Sequence, residues 1–343
     1  AGRGLAVIDP HGDLAERLVT QVPGNRQTEL HYLNAPDLTQ PYGYNPLRGV
    51  LSDRVPLAAS GLLEAFQMLW PDAWGQRMEH VLRNVLYALI EAGDATLADV
   101  GRMIAEPVFR AGILKRVKNR QVLSFWLREF PHYNPRYRQE TIAPIQNKVG
   151  ALLADPRLYR ILVDPPIDLH FRALMDRGAI IIVNLAKGRL GSDSATLLGA
   201  ILVTTLSMAA LSRSDDPTSG RRPFFIYIDE FQSFTTLSMA SMVSELRKFG
   251  VGLVLAHQHL EQLHPEVRGA VLGNVGTVIA FRLGSHDAQV LGREFEPVFD
   301  RHDLVSLANY DIYLKLMIDG EPSRPFSATT LPPQPLADSV HTE

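Results

Sequence analysis

The stretch Phe224-Phe225-Ile226-Tyr227-Ile228 runs directly into Asp229-Glu230. An uninterrupted run of aromatic and β-branched residues predicts a strand buried on both faces, which occurs where helices cover both sides of a parallel sheet. The two carboxylates then stand at the C-terminal end of that strand, the rim where open α/β sheets place their ligands. Taken alone, the stretch is also compatible with an ordinary buried strand whose end is acidic.

Other apolar runs share this character. Leu5-Ala6-Val7-Ile8-Asp9 breaks at Pro10-His11-Gly12, which predicts a strand and then a loop, with a helix beginning near Asp13 as its cap and ending before Pro23-Gly24. His31 to Asn34 is a short second strand, followed by the Pro- and Tyr-rich turn to Tyr44-Asn45-Pro46-Leu47. From about Val55 to Phe171 nothing reads as a strand, whereas Met78, Val81, Leu82, Val85, Leu86 and Leu89 mark one face of an amphipathic helix. The strand pattern returns at Ala179 to Leu185, Val251 to Ala256, Val275 to Leu283 and Tyr310 to Ile318. Strands alternating with helices predict a largely parallel sheet with right-handed crossovers. The expected fold is an α/β core over 1–46 and 173–320, with an all-α domain inserted at 47–172 and a C-terminal extension at 321–343.

At 343 residues and 46% hydrophobic, the chain can bury a sizeable core. It has no Cys, hence no disulfide or thiolate metal site, and its 11 His lack ligand spacing. A net charge of -3 gives no global attraction to nucleic acid, so such binding requires a local patch. Ser194 to Ser212 is uncharged and long enough to span a bilayer, but its Ser, Thr and Gly content and its place between two apolar strands suit a helix packed on a sheet. The insertion collects Arg110, Lys115, Arg116, Lys118, Arg120, Arg128, Arg136 and Arg138, interleaved with Phe125, Trp126, Tyr133 and Tyr137. Cations for phosphates and rings for stacking make a nucleic-acid surface; a solvated helix face with the rings in a core is the competing reading.

Two further pieces accompany the carboxylates. The strand from Val251 lies one crossover after Phe224–Ile228, so it should neighbour that strand and bring Gln258 to the same rim, where an amide can orient an attacking water. Arg247 precedes the strand and belongs to the opposite rim, too far to serve its own site but placed to serve a neighbour's in a ring. Otherwise Gln258 caps the next helix and Arg247 is a solvated helix-end cation.

In order along the chain, Ile8-Asp9-Pro10-His11-Gly12-Asp13-Leu14, Tyr44-Asn45-Pro46-Leu47, Ile228-Asp229-Glu230-Phe231-Gln232, Arg247-Lys248-Phe249-Gly250 with Gln258, and Gly273-Asn274-Val275-Gly276 with Phe281-Arg282 resemble the cytoplasmic ATPase part of conjugative coupling proteins. These are the TraG/TraD-type members of the HerA/FtsK class of P-loop motors. The resemblance implies a RecA-like ATPase core using ATP and Mg²⁺, with Asp229 in the Walker B position holding Mg²⁺ through water. Glu230 would activate water, Gln258 would sense the γ-phosphate, Arg247 would act in trans, and Asp9 would join the nucleotide-contacting set. It further implies a homo-hexameric ring that moves DNA, with the insertion (Lys115, Arg116, Lys118 and Arg120) facing DNA. The implied partners are a relaxase complex and a type IV secretion channel, at the inner face of a bacterial cytoplasmic membrane.

The family's phosphate loop, G-x-x-x-x-G-K-[ST], belongs before Leu5, and Gly2-Arg3-Gly4 does not supply it. The chain therefore reads as a fragment beginning just after the phosphate-loop helix, without the membrane anchor of many relatives. Alone it is expected neither to bind ATP tightly nor to hydrolyse it, and to leave an unpaired edge or an apolar groove in its sheet. The rival readings are a HerA- or FtsK-like translocase in repair or segregation, and a non-catalytic DNA- or relaxosome-binding module.

Overall fold

A computed structural model describes residues 2–71, 74–215 and 220–333, leaving aside the side chains of Tyr137, Ser238 and Ser241. Its strands are β1 (Gly4–Asp9), β2 (Leu30–Asn34), β3 (Tyr42–Gly43), β4 (Ile167–Asp168), β5 (Ile180–Asn184), β6 (Phe224–Ile228), β7 (Val251–Leu255), β8 (Val278–Ala280), β9 (Asp311–Lys315), β10 (Met317–Ile318), β11 (Glu321–Pro322) and β12 (Phe326–Thr329). The chain divides into two compact units, residues 1–256 and 257–343.

The first unit is built on a five-stranded sheet of order β2-β5-β1-β6-β7, in which every neighbouring pair is parallel. β5 is buried along its whole length, as expected of a strand covered on both faces. On one face the helix Asp13–Gln21 packs through Ala15, Leu18 and Val19 against Ile180 and Ile182. On the other, Val203 and Ser207 of the long helix Ser192–Leu211 meet Met239 and Met242 of the helix Ser238–Glu245 around Ile226, Ile228 and Leu253. The long helix is apolar enough to cross a membrane, yet most of it is buried within this unit, so its composition has a sufficient explanation in the core. β7 closes one edge of the sheet, with Val254 exposed, and no described strand pairs beyond it.

The expected insertion is helical, apart from β4, whose two residues pair in parallel with β3. Its helix Gln76–Ala92 buries Met78, Val81, Leu82, Val85, Leu86 and Leu89, the face anticipated from their spacing. The helix Val55–Leu69 joins it to the core by crossing the long helix at Gly61, where a Cβ would lie 2.5 Å from Thr204 Cγ2. Phe125, Trp126 and Phe130 pack against one another inside the insertion, Phe125 and Trp126 with centroids 5.0 Å apart. Of the two readings of the aromatics, the core reading applies to these rings, which are unavailable for base stacking; the Tyr137 side chain lies outside the described residues.

The second unit corrects the expectation of one continuous sheet. β8 and β12 each pair antiparallel with β9, in the order β12-β9-β8, instead of extending the parallel sheet. Ala280, Ala288, Phe295 and Leu304 form its core, with Tyr313 stacked on Phe299 at 3.7 Å. β12 makes the first residues of the expected tail a full member of this sheet; residues 334–343 lie outside the described ones.

The Gly61 crossing yields a direct test. Gly61→Val places a branched side chain where Thr204 already stands, and overpacking of this kind costs about 1–3 kcal/mol. The urea midpoint of the chain should fall accordingly, and an unchanged midpoint would show that the insertion does not pack on the long helix.

Candidate functional site

In a parallel sheet all strands end on one rim, and here that rim gathers Asn34, Asn184, Asp9 and Asp229. Pairing sets Asn34 and Asp9 level with Asn184 on either side, and the Asp229 amide donates to the Ile8 carbonyl at 3.1 Å. Asp9 is fully buried. Its Oδ1 accepts from the His11 amide at 2.8 Å and its Oδ2 from the Ala15 amide at 2.8 Å. Asp9, and not Asp13, therefore supplies the side-chain acceptor for the start of the helix; Asp13 is simply the first helical residue, behind Gly12 in the left-handed region at φ 102°. A Cβ at Gly12 would lie 2.7 Å from Asn184 Oδ1, so only glycine lets this loop fold down onto the strand ends. Each oxygen of Asp9 accepts one backbone amide, which fixes its carboxylate at the start of the helix.

Asp229 is partly buried, and its Oδ1 accepts from the Glu230 amide at 3.0 Å. Burial pushes its carboxyl above the usual carboxylate range; the charges of Glu230 and Asp9 push the same way, while the Glu230 amide and His11 oppose. Its second oxygen has no hydrogen-bond partner among the described residues. A half-desolvated carboxylate beside further acids suits a hydrated Mg²⁺, which typically keeps several waters and takes one or two carboxylates. Among the described residues no cluster of three or more His, Cys, Asp or Glu forms a metal cage, so binding through water from Asp229 is the arrangement these residues fit. No G-x-x-x-x-G-K-[ST] stretch occurs in the sequence.

Glu230 adopts φ 47°, ψ 46°, the left-handed region that costs a Glu roughly 1–2 kcal/mol. It accepts a short hydrogen bond from Gln232 Nε2. The bend is held from both sides: the Phe231 amide donates to the Ala256 carbonyl and the Ala256 amide to the Ile228 carbonyl, each at 3.0 Å. Strain at a non-glycine residue, kept by its surroundings, is common at functional positions. β7 pairs in parallel with β6, as the sequence indicates, and Gln258 follows Ala256 by two residues as one of the first residues of the second unit.

The opposite rim is cationic. Arg3 precedes β1, Arg26 precedes β2, Arg177 precedes β5, Arg221 and Arg222 precede β6, and Arg247 and Lys248 precede β7. Arg247 is exposed and has no side-chain partner among the described residues. Five strand residues separate it from the Asp229 rim, roughly 17 Å, more than an arginine spans. Arg213, which no sequence motif marks, lies beneath this rim, fully buried.

In the insertion, Lys115, Arg116, Lys118 and Arg120 are exposed or nearly so. Arg116 is held by Asp94 at 2.6 Å, and Arg110 and Arg138 turn inward, donating to the carbonyls of Met103, Ile104, Phe130 and Pro131. The last two cations are structural.

The sheet, its rims and its covering helices define a RecA-like α/β fold of the P-loop NTPase type. Among solved structures the chain is similar to the bacterial conjugative coupling protein TrwB in unbound form, at TM-score 0.62 and 13% identity, over 97% of this chain and 79% of that one. It is similar to TrwB in complex with ADP and Mg²⁺ at TM-score 0.61 and 14% identity over the same shares. VirB4 of Thermoanaerobacter pseudethanolicus matches at TM-score 0.60 and 14% identity, over 91% of this chain and 79% of that one. No family model and no curated protein matches the sequence.

The raised position of Asp229 makes a pH prediction. A carboxyl whose pKa is higher folded than unfolded favours folding most below its unfolded value near 4, and that advantage is lost as pH rises through the higher folded value. Without metal, Asp229→Asn should raise the melting temperature at pH 7, and the gain should shrink toward pH 4. An equal gain at both pH values would remove desolvation of this carboxylate as the cause.

Proposed function

We propose that this chain belongs to a motor ATPase of type IV secretion, of the conjugative coupling kind, which converts ATP hydrolysis into movement of DNA. The observation that carries the reading is the Asp229–Glu230 pair held on the ligand-binding rim of a parallel sheet, in a fold shared along nearly the whole chain with a coupling protein solved with ADP and Mg²⁺. Mg²⁺, when bound with nucleotide, would neutralise phosphate charge, and Asp229 would hold it through water; Glu230, turned out of the strand line by its left-handed backbone, would accept the proton of the attacking water. Arg247, on the far rim, contributes to the site of a neighbouring copy in a ring, where such a cation is worth roughly 10³–10⁵ in rate. Lys115, Lys118 and Arg120 supply exposed charge for DNA phosphates.

The test uses a protein that carries this chain together with a phosphate loop. Glu230→Gln should retain ATP binding while turnover falls about 10²–10⁴-fold, since a base is removed and not a binding group; undiminished turnover would refute the assignment. Mixing these inactive subunits with inactive Arg247→Ala subunits should restore hydrolysis, because each supplies what the other lacks.

The DNA interaction is measurable separately. Affinity should fall with salt along a log-log line, and Lys115→Ala, Lys118→Ala and Arg120→Ala together should flatten it by about 0.7–0.9 for each phosphate that is no longer neutralised. An unaltered slope would make this stretch a solvated face.

A further inference from the structure

Arg213 is the largest fully buried side chain of the described residues, a position that a guanidinium occupies only when its charge and donors are engaged. Here three bonds engage it. Nε donates to Asp176 Oδ1 at 2.9 Å, Nη1 to the Phe249 carbonyl at 3.0 Å, and Nη2 to the Arg222 carbonyl at 2.7 Å. Asp176 is itself held by Arg172 at 2.6 Å, and Arg172 also meets Asp215 at 3.0 Å, so two guanidinium groups face two carboxylates.

The two carbonyls belong to the segments that lead into β7 and β6. Phe249 ends the single turn Leu246–Phe249 that carries Arg247 and Lys248. Gly250, at φ 72°, closes that turn by donating to the Arg247 carbonyl at 3.1 Å, and its own carbonyl accepts from the Phe224 amide at 3.0 Å. Arg221 adds a bond from outside, donating to the Lys248 carbonyl at 2.6 Å. Arg213 itself sits just past the long helix Ser192–Leu211, whose Gly199 meets the ring of Phe234 so closely that a Cβ would be 2.3 Å from it. Phe234 ends the turn that follows Glu230. One rigid helix of roughly 30 Å therefore touches the turn after the carboxylates and is followed directly by the buried clamp on the turn of Arg247.

We propose that Arg213 is a positioning residue that sets where Arg247 projects, and thereby governs hydrolysis at the neighbouring copy's Asp229–Glu230 and not at its own. This rests on the reading of Arg247 as a cation acting in trans. A single planar guanidinium holds two carbonyls in fixed relation, which the point-like ammonium of lysine cannot reproduce. A displacement of about 1 Å in a catalytic group costs up to roughly 10²-fold in rate.

The experiment uses the same protein, carrying this chain together with a phosphate loop, in mixed rings. Subunits carrying Glu230→Gln donate Arg247, and subunits carrying Arg247→Ala accept it. Adding Arg213→Lys to the donor should cut the restored kcat by about ten-fold or more, with KM for ATP unchanged. The same substitution in the acceptor, which has no Arg247 to position, should leave the restored rate within about two-fold. Gly250→Ala, which strains the same turn at its positive φ while its Cβ would meet Arg213 Nη1 only at ordinary contact, 3.7 Å, and leaves the buried charge in place, should give the same donor-only loss and serves if Arg213→Lys does not fold. Equal losses from donor and acceptor would make Arg213 a stability residue and overturn the proposal. No restoration in the parent mixture would overturn the trans role of Arg247 itself, a failure distinguishable because it appears before Arg213 is altered.

Discussion

Five strands hydrogen-bonded in one direction are the constraint on which the first unit depends. A parallel sheet sorts the chain: whatever precedes a strand lies on one rim and whatever follows lies on the other. In this chain the sorting separates chemistry as well as connectivity. Acids and amides end the strands at Asn34, Asn184, Asp9 and Asp229, while every strand of this sheet is preceded by an arginine. In the function proposed above, the separation would let one fold receive a cation at one rim and offer one at the other, too far apart to meet within a single copy.

Much of this is legible in the sequence. Uninterrupted apolar runs identify β1, β5, β6 and β7, but the burial on both faces expected of Phe224–Ile228 holds only for β1 and β5; Tyr227 of β6 and Val254 of β7 are exposed. The helix through Met78 and Leu89 is equally plain from its period. What fails is the assignment of Val275 to Leu283 and Tyr310 to Ile318 to the same sheet. Local apolar content says that a strand forms, and nothing about which sheet it joins or in which direction. The pairing of β8 with β9 sets Val278 against Lys315, partners too distant along the chain for any local pattern to register.

The candidate site divides in the same way. Asp229 and Glu230 stand out because charge after an apolar run is a local signal. Asp9 also stands out, and each of its oxygens accepts a backbone amide at 2.8 Å. Arg213 does not stand out, since an arginine in the charged stretch after the long helix looks like any solvated cation; only the carbonyls of Phe249 and Arg222 reveal it. Phe125 and Trp126 show the reverse error, in which rings beside cations suggest stacking while their burial assigns them to packing.

The left-handed backbone at Glu230 bears on how such a chain responds to selection. Glycine or asparagine would relax that position, so variants chosen only for solubility or heat resistance should drift toward them. If Glu230 serves hydrolysis as proposed, variants chosen for work done per unit time should instead keep glutamate and accept its conformational penalty.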